Sequence, residues 1–285
     1  MSPAKNFTER LLDCSRRNDS LLCVGLDVDP ERVPEPLRGH SDWVYEFNLG
    51  IIEATSDLVC AYKPNLAFYE ALGSSGLDAL SRTAKAVPPG IPVIGDAKRG
   101  DVGHTAKAYA RALFEGFGFD AVTVNPYLGL DSVEPFLEYK DRGVFLLCKT
   151  SNPGSGDFQD LTCVTDQGTF PLYQVVARKA EQLWSSGGNV GLVVGATYPQ
   201  ELANVRQLVP EMPLLIPGVG AQSGDLEKTV LYGTNSRGEM AVINSSRQVI
   251  QASLGDDWKN AARRVAASLR DAINVYRIAK VGSRG

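Results

Sequence analysis

The chain has 285 residues, of which 44% are hydrophobic, and its formal net charge at pH 7 is −4. This composition is ordinary for a soluble globular protein, and the mild acidity provides no basic surface for nucleic acid or for an anionic membrane. No stretch approaches the roughly 20 apolar residues of a membrane span. The amino terminus lacks an apolar core of the signal-peptide type, and the five scattered cysteines favour reduced thiols. We therefore expect a cytoplasmic protein that binds neither nucleic acid nor membranes.

Eight short apolar runs are spread along the chain, and each is followed by a segment that can form a helix. Near-continuous runs of Val, Ile and Leu are typical of parallel strands that are covered on both faces. The predicted strands lie within Leu21–Asp27, Leu58–Pro64, Ile91–Lys98, Asp120–Pro126, Gly143–Thr150, Val190–Ala196, Leu214–Val219 and Met240–Ser245.

Three of the intervening segments carry apolar residues at spacings of three and four, which predicts helices. These segments are Thr105–Glu115, Phe170–Trp184 and Lys259–Ile278. Eight strand-helix units in a chain of this length predict one (β/α)8 barrel domain over residues 1–285, because such barrels typically have ~250 residues. A doubly wound open sheet is the alternative fold.

Polar residues end several of the predicted strands. Active sites of (β/α)8 barrels lie at the carboxyl ends of the strands, so these residues are candidates by position. The first run ends in Asp27, the second ends at Lys63 and Asn65, and the fifth ends at Lys149, Thr150 and Ser151. One charge at a strand end is usually a cap or an exposed side chain, whereas several that converge on one rim indicate a site.

The most informative stretch is Asp96-Ala-Lys98-Arg-Gly-Asp101, at the end of the third run. Alternation along a strand places Asp96 and Lys98 on the same side and directs Arg99 away from Lys98. Asp101 already lies in the following loop or helix. Two carboxylates around one lysine form either an active site or an ion-pair network at a strand end, and the spacing alone does not choose between them.

The last two runs are followed by motifs suited to an anion. Pro217-Gly-Val-Gly-Ala-Gln222 comes after the seventh run and Asn244-Ser-Ser-Arg247 after the eighth. A Gly-rich turn lets backbone N–H groups approach an anion, and an arginine supplies a planar set of donors. The loops after strands seven and eight are the common phosphate site of barrels. We therefore predict that Gln222, Arg247 and nearby amides hold a phosphate.

Taken in chain order, these motifs resemble the orotidine 5′-monophosphate decarboxylase family, in its longer bacterial-type subfamily. The matching pieces span about residues 20 to 250 and are Leu26-Asp27, Lys63-Pro-Asn65 with Phe68, Asp96 to Thr105, Thr150-Ser151-Asn-Pro-Gly154, Val194-Gly-Ala-Thr197, Pro217 to Gln222 and Asn244 to Arg247. The resemblance implies a homodimeric (β/α)8 barrel. It also implies decarboxylation of orotidine 5′-monophosphate (OMP) to uridine 5′-monophosphate (UMP) in pyrimidine synthesis, with neither a metal nor an organic cofactor.

The resemblance further implies a role for each matching residue. Lys98 is the proton donor to C6 of the base, and Asp96 lies beside the departing carboxylate. Asp101 and Thr105 reach the neighbouring subunit's site, where Asp101 completes an alternating array with Lys63, Asp96 and Lys98. The implied substrate contacts are Asp27 and Lys63 with the ribose hydroxyls, Asn65 with the substrate, Ser151 with the pyrimidine amide, Pro217 beside the base, and Gln222 and Arg247 with the phosphate.

The residue types suit this reaction. Loss of CO2 leaves a carbanion whose electron pair cannot delocalise into the π system of the ring, so an ammonium from Lys98 can stabilise and then protonate it. Repulsion between Asp96 and the substrate carboxylate is worth ~4 kcal/mol at 4 Å with an effective dielectric constant of about 20, hence roughly a thousandfold in rate. Repulsion alone is too small to remove an unactivated carboxylate. Most of the barrier reduction must therefore come from stabilisation of the carbanion and from binding energy at the phosphate, which closes loops and assembles the site. The long segments 151–168 and 220–238 are either such lids or flexible insertions.

Two other functions remain open from the sequence. A metal-dependent relative with the same Asp-x-Lys-x-x-Asp element, such as a hexulose phosphate synthase or a keto-gulonate phosphate decarboxylase, would need an acidic residue near strand two. This chain has Lys63 and Asn65 there. A non-catalytic nucleotide-phosphate sensor would keep Gln222 and Arg247 but would not need the charged array. His104 is expected to be neither an acid nor a base, because Lys98 takes that role.

Overall fold

The computed structural model describes residues 5–219 and 225–282. In that part of the chain the strands are β1 Leu22–Gly25, β2 Ala61–Lys63, β3 Ile94–Arg99, β4 Ala121–Val124, β5 Gly143–Lys149, β6 Thr162–Thr165, β7 Gly168–Pro171, β8 Val190–Val194, β9 Leu214–Ile216 and β10 Ala241–Ser245. The helices are α1 Phe7–Arg17, α2 Trp43–Thr55, α3 Leu66–Glu70, α4 Gly73–Ala86, α5 Gly103–Arg111, α6 Leu130–Leu137, α7 Leu172–Lys179, α8 Pro199–Leu208, α9 Leu226–Gly233, α10 Arg247–Ile250 and α11 Trp258–Gly282.

Eight of the strands form one parallel sheet, in the order β2-β1-β10-β9-β8-β5-β4-β3. Parallel bridges between Tyr62 and Val93 and between Asn65 and Asp96 bring β3 beside β2, so the sheet nearly closes on itself. Apart from the inserted hairpin β6-β7, strands that are consecutive in the chain are neighbours throughout. A doubly wound sheet would instead reverse its strand order at a switch point. The predicted (β/α)8 barrel is therefore confirmed, and each of the eight predicted runs coincides with one barrel strand, although β3 extends one residue beyond the third run.

The inside of the barrel is filled by apolar side chains below the carboxyl ends of the strands. One buried residue comes from each barrel strand, and these are Cys23, Ala61, Ile94, Ala121, Phe145, Val193, Leu215 and Val242. Phe7 and Leu11 of α1 join this cluster and close the amino end of the barrel, with the ring of Phe7 edge-on to Phe145 at a centroid distance of 5.7 Å. Because this end is packed, an open site is left at the carboxyl end.

The predicted helices are present with shifted bounds. Helix α11 contains the whole of Lys259–Ile278, and α5 begins two residues before Thr105 and continues as a π-helical turn over Ala112–Gly116. The prediction for Phe170–Trp184 was wrong at its start, because Phe170 lies in strand β7 and α7 begins at Leu172. Among the described helices none is long and apolar enough to cross a membrane.

The segment after β5 is a folded insertion between two strands of the barrel. It contains a short 3-10 helix, Pro153–Asp157, and the antiparallel hairpin of β6 and β7. The hairpin explains why Phe170 is not helical: its backbone pairs with Cys163 across the two strands. The helical spacing of apolar residues before Leu172 therefore arises by chance.

A buried arginine ties together the amino ends of β9 and β10. The guanidinium of Arg206 in α8 donates hydrogen bonds to five backbone carbonyls, those of Val209, Pro210, Met212, Gly233 and Met240. Burial lowers the pKa of Arg206 to about 10, so it stays charged at neutral pH. Its donors satisfy carbonyl groups of several chain segments that meet at this corner.

Replacing Arg206 with methionine should lower the free energy of unfolding by roughly 3–5 kcal/mol, because several buried carbonyls would lose their donor. Chemical denaturation measures this change. Arg264→Met is the matched control: Arg264 is exposed on α11 and pairs with Asp257, so its loss should cost at most about 1 kcal/mol. Equal costs for the two substitutions would show that the carbonyl contacts do not stabilise this corner.

Candidate active site

A cavity of about 530 Å³ opens at the carboxyl ends of the barrel strands. Eight of the residues predicted from the sequence line it, and these are Asp27, Lys63, Asn65, Asp96, Lys98, Ser151, Pro217 and Arg247. They come from the carboxyl ends of six different strands or from the loops that follow them, so only the closure of the barrel brings them together. Gln222 lies outside the described residues.

The centre of the cavity floor is an ion-pair network around Asp96. Lys63 at the end of β2 donates to Oδ2 of this carboxylate at 3.0 Å, and Lys98 in β3 donates to Oδ1 at 2.6 Å. Lys63 and Asp96 are only 4% and 8% exposed, whereas the side chain of Lys98 is 47% exposed. Asp96 and Lys98 lie on the same side as alternation predicted. Arg99 faces away and pairs with Glu70.

Thr123 in β4 is a site residue that the sequence analysis missed. Its hydroxyl donates to Oδ1 of Asp96 at 2.8 Å and accepts the backbone N–H of Lys98 at 2.9 Å. It therefore orients the carboxylate and the backbone that carries the lysine. The available signal was a single hydroxyl in the apolar run Ala121-Val-Thr-Val124, where a buried polar group needs a partner.

The backbone at Lys98 adopts a conformation that side chains rarely occupy. Its φ is +49°, in the left-handed region that costs a non-glycine residue of order 1–3 kcal/mol. The pairing of β3 with β4 is irregular at this point, between Gly95 and Arg99. The contacts with Asp96 and Thr123 hold Lys98 in this conformation, as is typical of functional residues.

Asp96 and Lys63 keep their charges at neutral pH. Burial by itself would raise the pKa of Asp96, but the ammonium groups of Lys63 and Lys98 outweigh it and hold that pKa well below its usual range. Burial would likewise lower the pKa of Lys63, yet Asp96 and Asp27 raise it above its ordinary value. A carboxylate between two ammonium groups is thus present before any ligand binds.

This shift predicts how Asp96 contributes to stability in acid. The pKa of Asp96 is lower in the folded protein than in the unfolded chain, where it is near 3.8. The stabilisation that results is complete at pH values above 3.8 and is lost as the pH falls towards the pKa of the folded state. Between pH 5 and pH 3 the unaltered protein should therefore lose about 1 kcal/mol more unfolding free energy than Asp96→Asn. Urea unfolding at the two pH values measures the difference. Parallel losses in both proteins would contradict the assigned ionisation of Asp96.

Three buried oxygen atoms among the described cavity-lining residues have no hydrogen-bond partner. They are Oδ1 of Asp27, Oδ1 of Asn244 and Oγ of Ser245. Leaving such atoms unsatisfied is unfavourable, so they are available for the polar groups of a ligand. Gly218, beside Pro217 on the same rim, has φ +100°, which a residue with a side chain would rarely adopt.

Asp101 and Thr105 do not line this cavity. Asp101 precedes α5 and accepts the backbone N–H of Val102 at 2.8 Å, and Thr105 is exposed on α5. Within one chain the charged array therefore consists of Lys63, Asp96 and Lys98. The predicted place of Asp101 in that array requires a second subunit.

Two further residues of the sequence analysis lie apart from the cavity. Lys149 was a candidate by position at the end of β5, but its ammonium pairs with Asp160 of the insertion and does not line the cavity. His104 lines a separate cavity of about 360 Å³ between α5 and α6, together with Lys107 and Glu138. A side chain at a strand end points inward or outward according to the strand's register, which the position alone does not reveal.

The comparisons with known proteins agree with the motifs. A sequence model of the orotidine 5′-phosphate decarboxylase / HUMPS family matches residues 20–265. The chain belongs to that family. The resemblance predicted from the sequence motifs is therefore confirmed, and the match covers every barrel strand.

Two similar members of the family carry one name. Orotidine 5′-phosphate decarboxylase of Azoarcus sp. is 52% identical over 273 residues, which are 95% of this chain and 100% of that protein. The protein of that name from Roseiflexus castenholzii is 53% identical over 269 residues, 94% of this chain and 97% of its own. The solved OMP decarboxylase of Leishmania donovani superposes with a TM-score of 0.82 at 42% identity, covering 96% of this chain and 99% of that structure.

Proposed function

We propose that this protein catalyses the decarboxylation of OMP to UMP and CO2 in pyrimidine synthesis. The observation that carries the proposal is the carboxylate of Asp96 between the ammonium groups of Lys63 and Lys98, on the floor of a cavity whose rim carries Arg247. The names of relatives more than half identical over nearly the whole chain support it.

The reaction begins with the substrate carboxylate near Asp96 and ends with a proton on the same ring carbon. Breaking the carbon–carbon bond releases CO2 and leaves the electron pair on C6 of the base. The ammonium of Lys98 stabilises that charge electrostatically and then transfers a proton to it, so one C–H bond replaces the broken C–C bond. Lys63 stays with Asp96 throughout and keeps the carboxylate ionised and oriented.

The remaining lining residues suit different parts of the nucleotide. Arg247 supplies a cationic fork for the phosphate at the amino end of α10, and the rim at Pro217 and Gly218 faces the same opening. The unpartnered oxygen of Asp27 suits a ribose hydroxyl, and Asn65 lies on the same wall. Ser151, from the loop after β5, is placed to contact the amide edge of the pyrimidine. We propose that Gln222 adds to the phosphate contacts.

A homodimer completes the proposed site. Asp101 and Thr105 lie outside the cavity of their own chain, and we propose that they enter the cavity of a neighbouring subunit. The surface around them exposes apolar side chains, namely Val102, Tyr109, Tyr127 and Leu128. Contact between two such surfaces would bury these side chains. We further propose a cytoplasmic location, which suits five free cysteines, four of them buried.

The charge arrangement favours this function over a metal-dependent relative. The carboxylate of Asp96 already has the ammonium of Lys63 at 3.0 Å and that of Lys98 at 2.6 Å, so a divalent cation bound there would lie beside both. Two adjacent cations disfavour a third. A nucleotide sensor would have no use for a strained Lys98 beside Asp96. We therefore propose catalysis without a metal or an organic cofactor.

The test is the ultraviolet absorbance of OMP mixed with the purified protein, with and without EDTA. Loss of the orotate band that is unaffected by the chelator is the expected result. Activity that EDTA abolishes would favour metal-assisted chemistry. A folded protein that UMP stabilises against heat, but that leaves OMP unchanged, would overturn the proposal in favour of the sensor.

A further inference from the structure

The backbone that carries Asp27 into the cavity is held at two points. Asp27 follows β1, and the part of the chain that the structure describes offers its buried Oδ1 atom no hydrogen-bond partner. The residue before it, Leu26, is fully buried. The backbone N–H of Leu26 donates to the carbonyl of Lys63 at 3.1 Å, and its own carbonyl accepts the hydroxyl of Tyr69 at 2.7 Å. The peptide group between Leu26 and Asp27 therefore cannot rotate without breaking the bond to Tyr69.

A buried side-chain network fixes the direction of the Tyr69 hydroxyl. Tyr69 lies in α3 and is fully buried, as is Asn48 in α2. The Nδ2 atom of Asn48 donates to the hydroxyl oxygen of Tyr69 at 2.9 Å and to the hydroxyl of Thr83 in α4 at 3.0 Å. Because the amide donates to Tyr69, the phenolic proton is left for the carbonyl of Leu26, which can only accept. Helices α2, α3 and α4 thus converge on one hydrogen bond to the backbone beside Asp27.

The same short helix connects this network to the cavity wall. Asn65, which lines the cavity, caps α3 by accepting the backbone N–H of Ala67 at 3.2 Å. Burial raises the pKa of Tyr69 well above its ordinary value, and the carboxylate of Asp27 raises it further. The hydroxyl is therefore protonated at neutral pH and able to donate, and it lies close enough to Asp27 for their charges to interact.

We propose that Tyr69 is a positioning residue for the nucleotide: its hydroxyl holds the carbonyl of Leu26 and so directs the carboxylate of Asp27 towards a ribose hydroxyl. The inference rests on the proposed function for the role of Asp27. Tyr69 itself is fully buried and does not line the cavity. Because it acts through Asp27, its effect should be confined to nucleotides that carry the ribose hydroxyl contacted by that carboxylate.

A second tyrosine provides a matched control. Tyr62 in β2 is equally buried, and its hydroxyl donates to the carbonyl of Ile52 at 3.2 Å and lies 2.8 Å from the hydroxyl of Thr55. Both partners lie in α2, and neither lines the cavity. Tyr62→Phe and Tyr69→Phe each remove one buried hydroxyl, so both should lower the melting temperature. Only Tyr69→Phe should change the binding of nucleotides.

The test measures the affinities of UMP and of its 2′-deoxy and 3′-deoxy analogues by titration calorimetry. Asp27→Ala first identifies the analogue that lacks the contacted hydroxyl, because this substitution should remove the preference for UMP over that analogue. Tyr69→Phe should reduce the same preference about fivefold, the effect of one hydrogen bond, whereas Tyr62→Phe should leave it unchanged. In an Asp27→Ala background, Tyr69→Phe should alter the affinity for UMP less than about twofold.

An unchanged preference in Tyr69→Phe would overturn the proposal. An equal loss of preference in Tyr62→Phe would also overturn it, since the effect would then come from a loosened core. Asp27→Ala with every preference of the unaltered protein would locate the failure in the role given to Asp27. A protein that shows the expected preferences but leaves OMP unchanged would overturn the proposed function alone.

A second variant covers the case in which Tyr69→Phe does not fold. Tyr69→Phe combined with Asn48→Leu also removes the amide that would otherwise lose a buried partner. The expected loss of preference is the same, because the amide bonds to Tyr69 and Thr83 and not to the backbone at Asp27. A folded double variant that keeps the preference of the unaltered protein would overturn the proposal.

Discussion

Replacing Lys98 with alanine should abolish decarboxylation of OMP and leave the affinity for UMP within about tenfold of the original value. The ammonium of Lys98 opposes a charge that exists only after CO2 departs, so its loss affects the transition state more than the bound nucleotide. The site should stay assembled, because Asp96 keeps its contacts with Lys63 and Thr123. Absorbance kinetics measure turnover, and titration calorimetry measures binding of UMP.

The control for this substitution is Lys85→Ala, which removes an exposed lysine from α4. It should retain full turnover, and both variants should unfold at temperatures close to that of the unaltered protein. Near-normal turnover in Lys98→Ala would remove Lys98 from the role of proton donor. Loss of turnover together with a large loss of UMP affinity would point instead to a collapsed site.

An equal mixture of two inactive variants, Lys98→Ala and Asp101→Asn, should recover about a quarter of the original activity. Random exchange makes half of the dimers mixed. In each mixed dimer, one site combines the intact Lys98 of one subunit with the intact Asp101 of the other subunit. The basis is geometric: Lys98 lines the cavity of its own chain and Asp101 does not.

The mixing experiment needs proof that subunits exchange. Differently tagged variants, co-purified through both tags, supply the mixed dimer directly, and each variant incubated with itself should stay inactive. Verified mixed dimers without activity would argue that Asp101 acts within its own chain. A protein that remains monomeric at assay concentration, yet is fully active, would contradict the shared site altogether.

Local sequence pattern was sufficient for the strands of the barrel. Parallel strands that are covered on both faces must be apolar over their whole length, so their runs stand out, as in Val190–Val194. The same reasoning located the polar residues at strand ends. It failed at Phe170, because a hairpin inserted between two barrel strands has no counterpart in the repeating pattern and its spacing imitated a helix.

The sequence by itself determined the barrel, the family and most of the residues that line the cavity, because the strand pattern and the motifs are local properties of the chain. Only the tertiary structure decided what those side chains contact. It placed Thr123 beneath Asp96 and directed Lys149 to Asp160. It also left Asp101 outside its own cavity. Such contacts depend on register and on the closure of the sheet, which bring together residues that are distant in the chain.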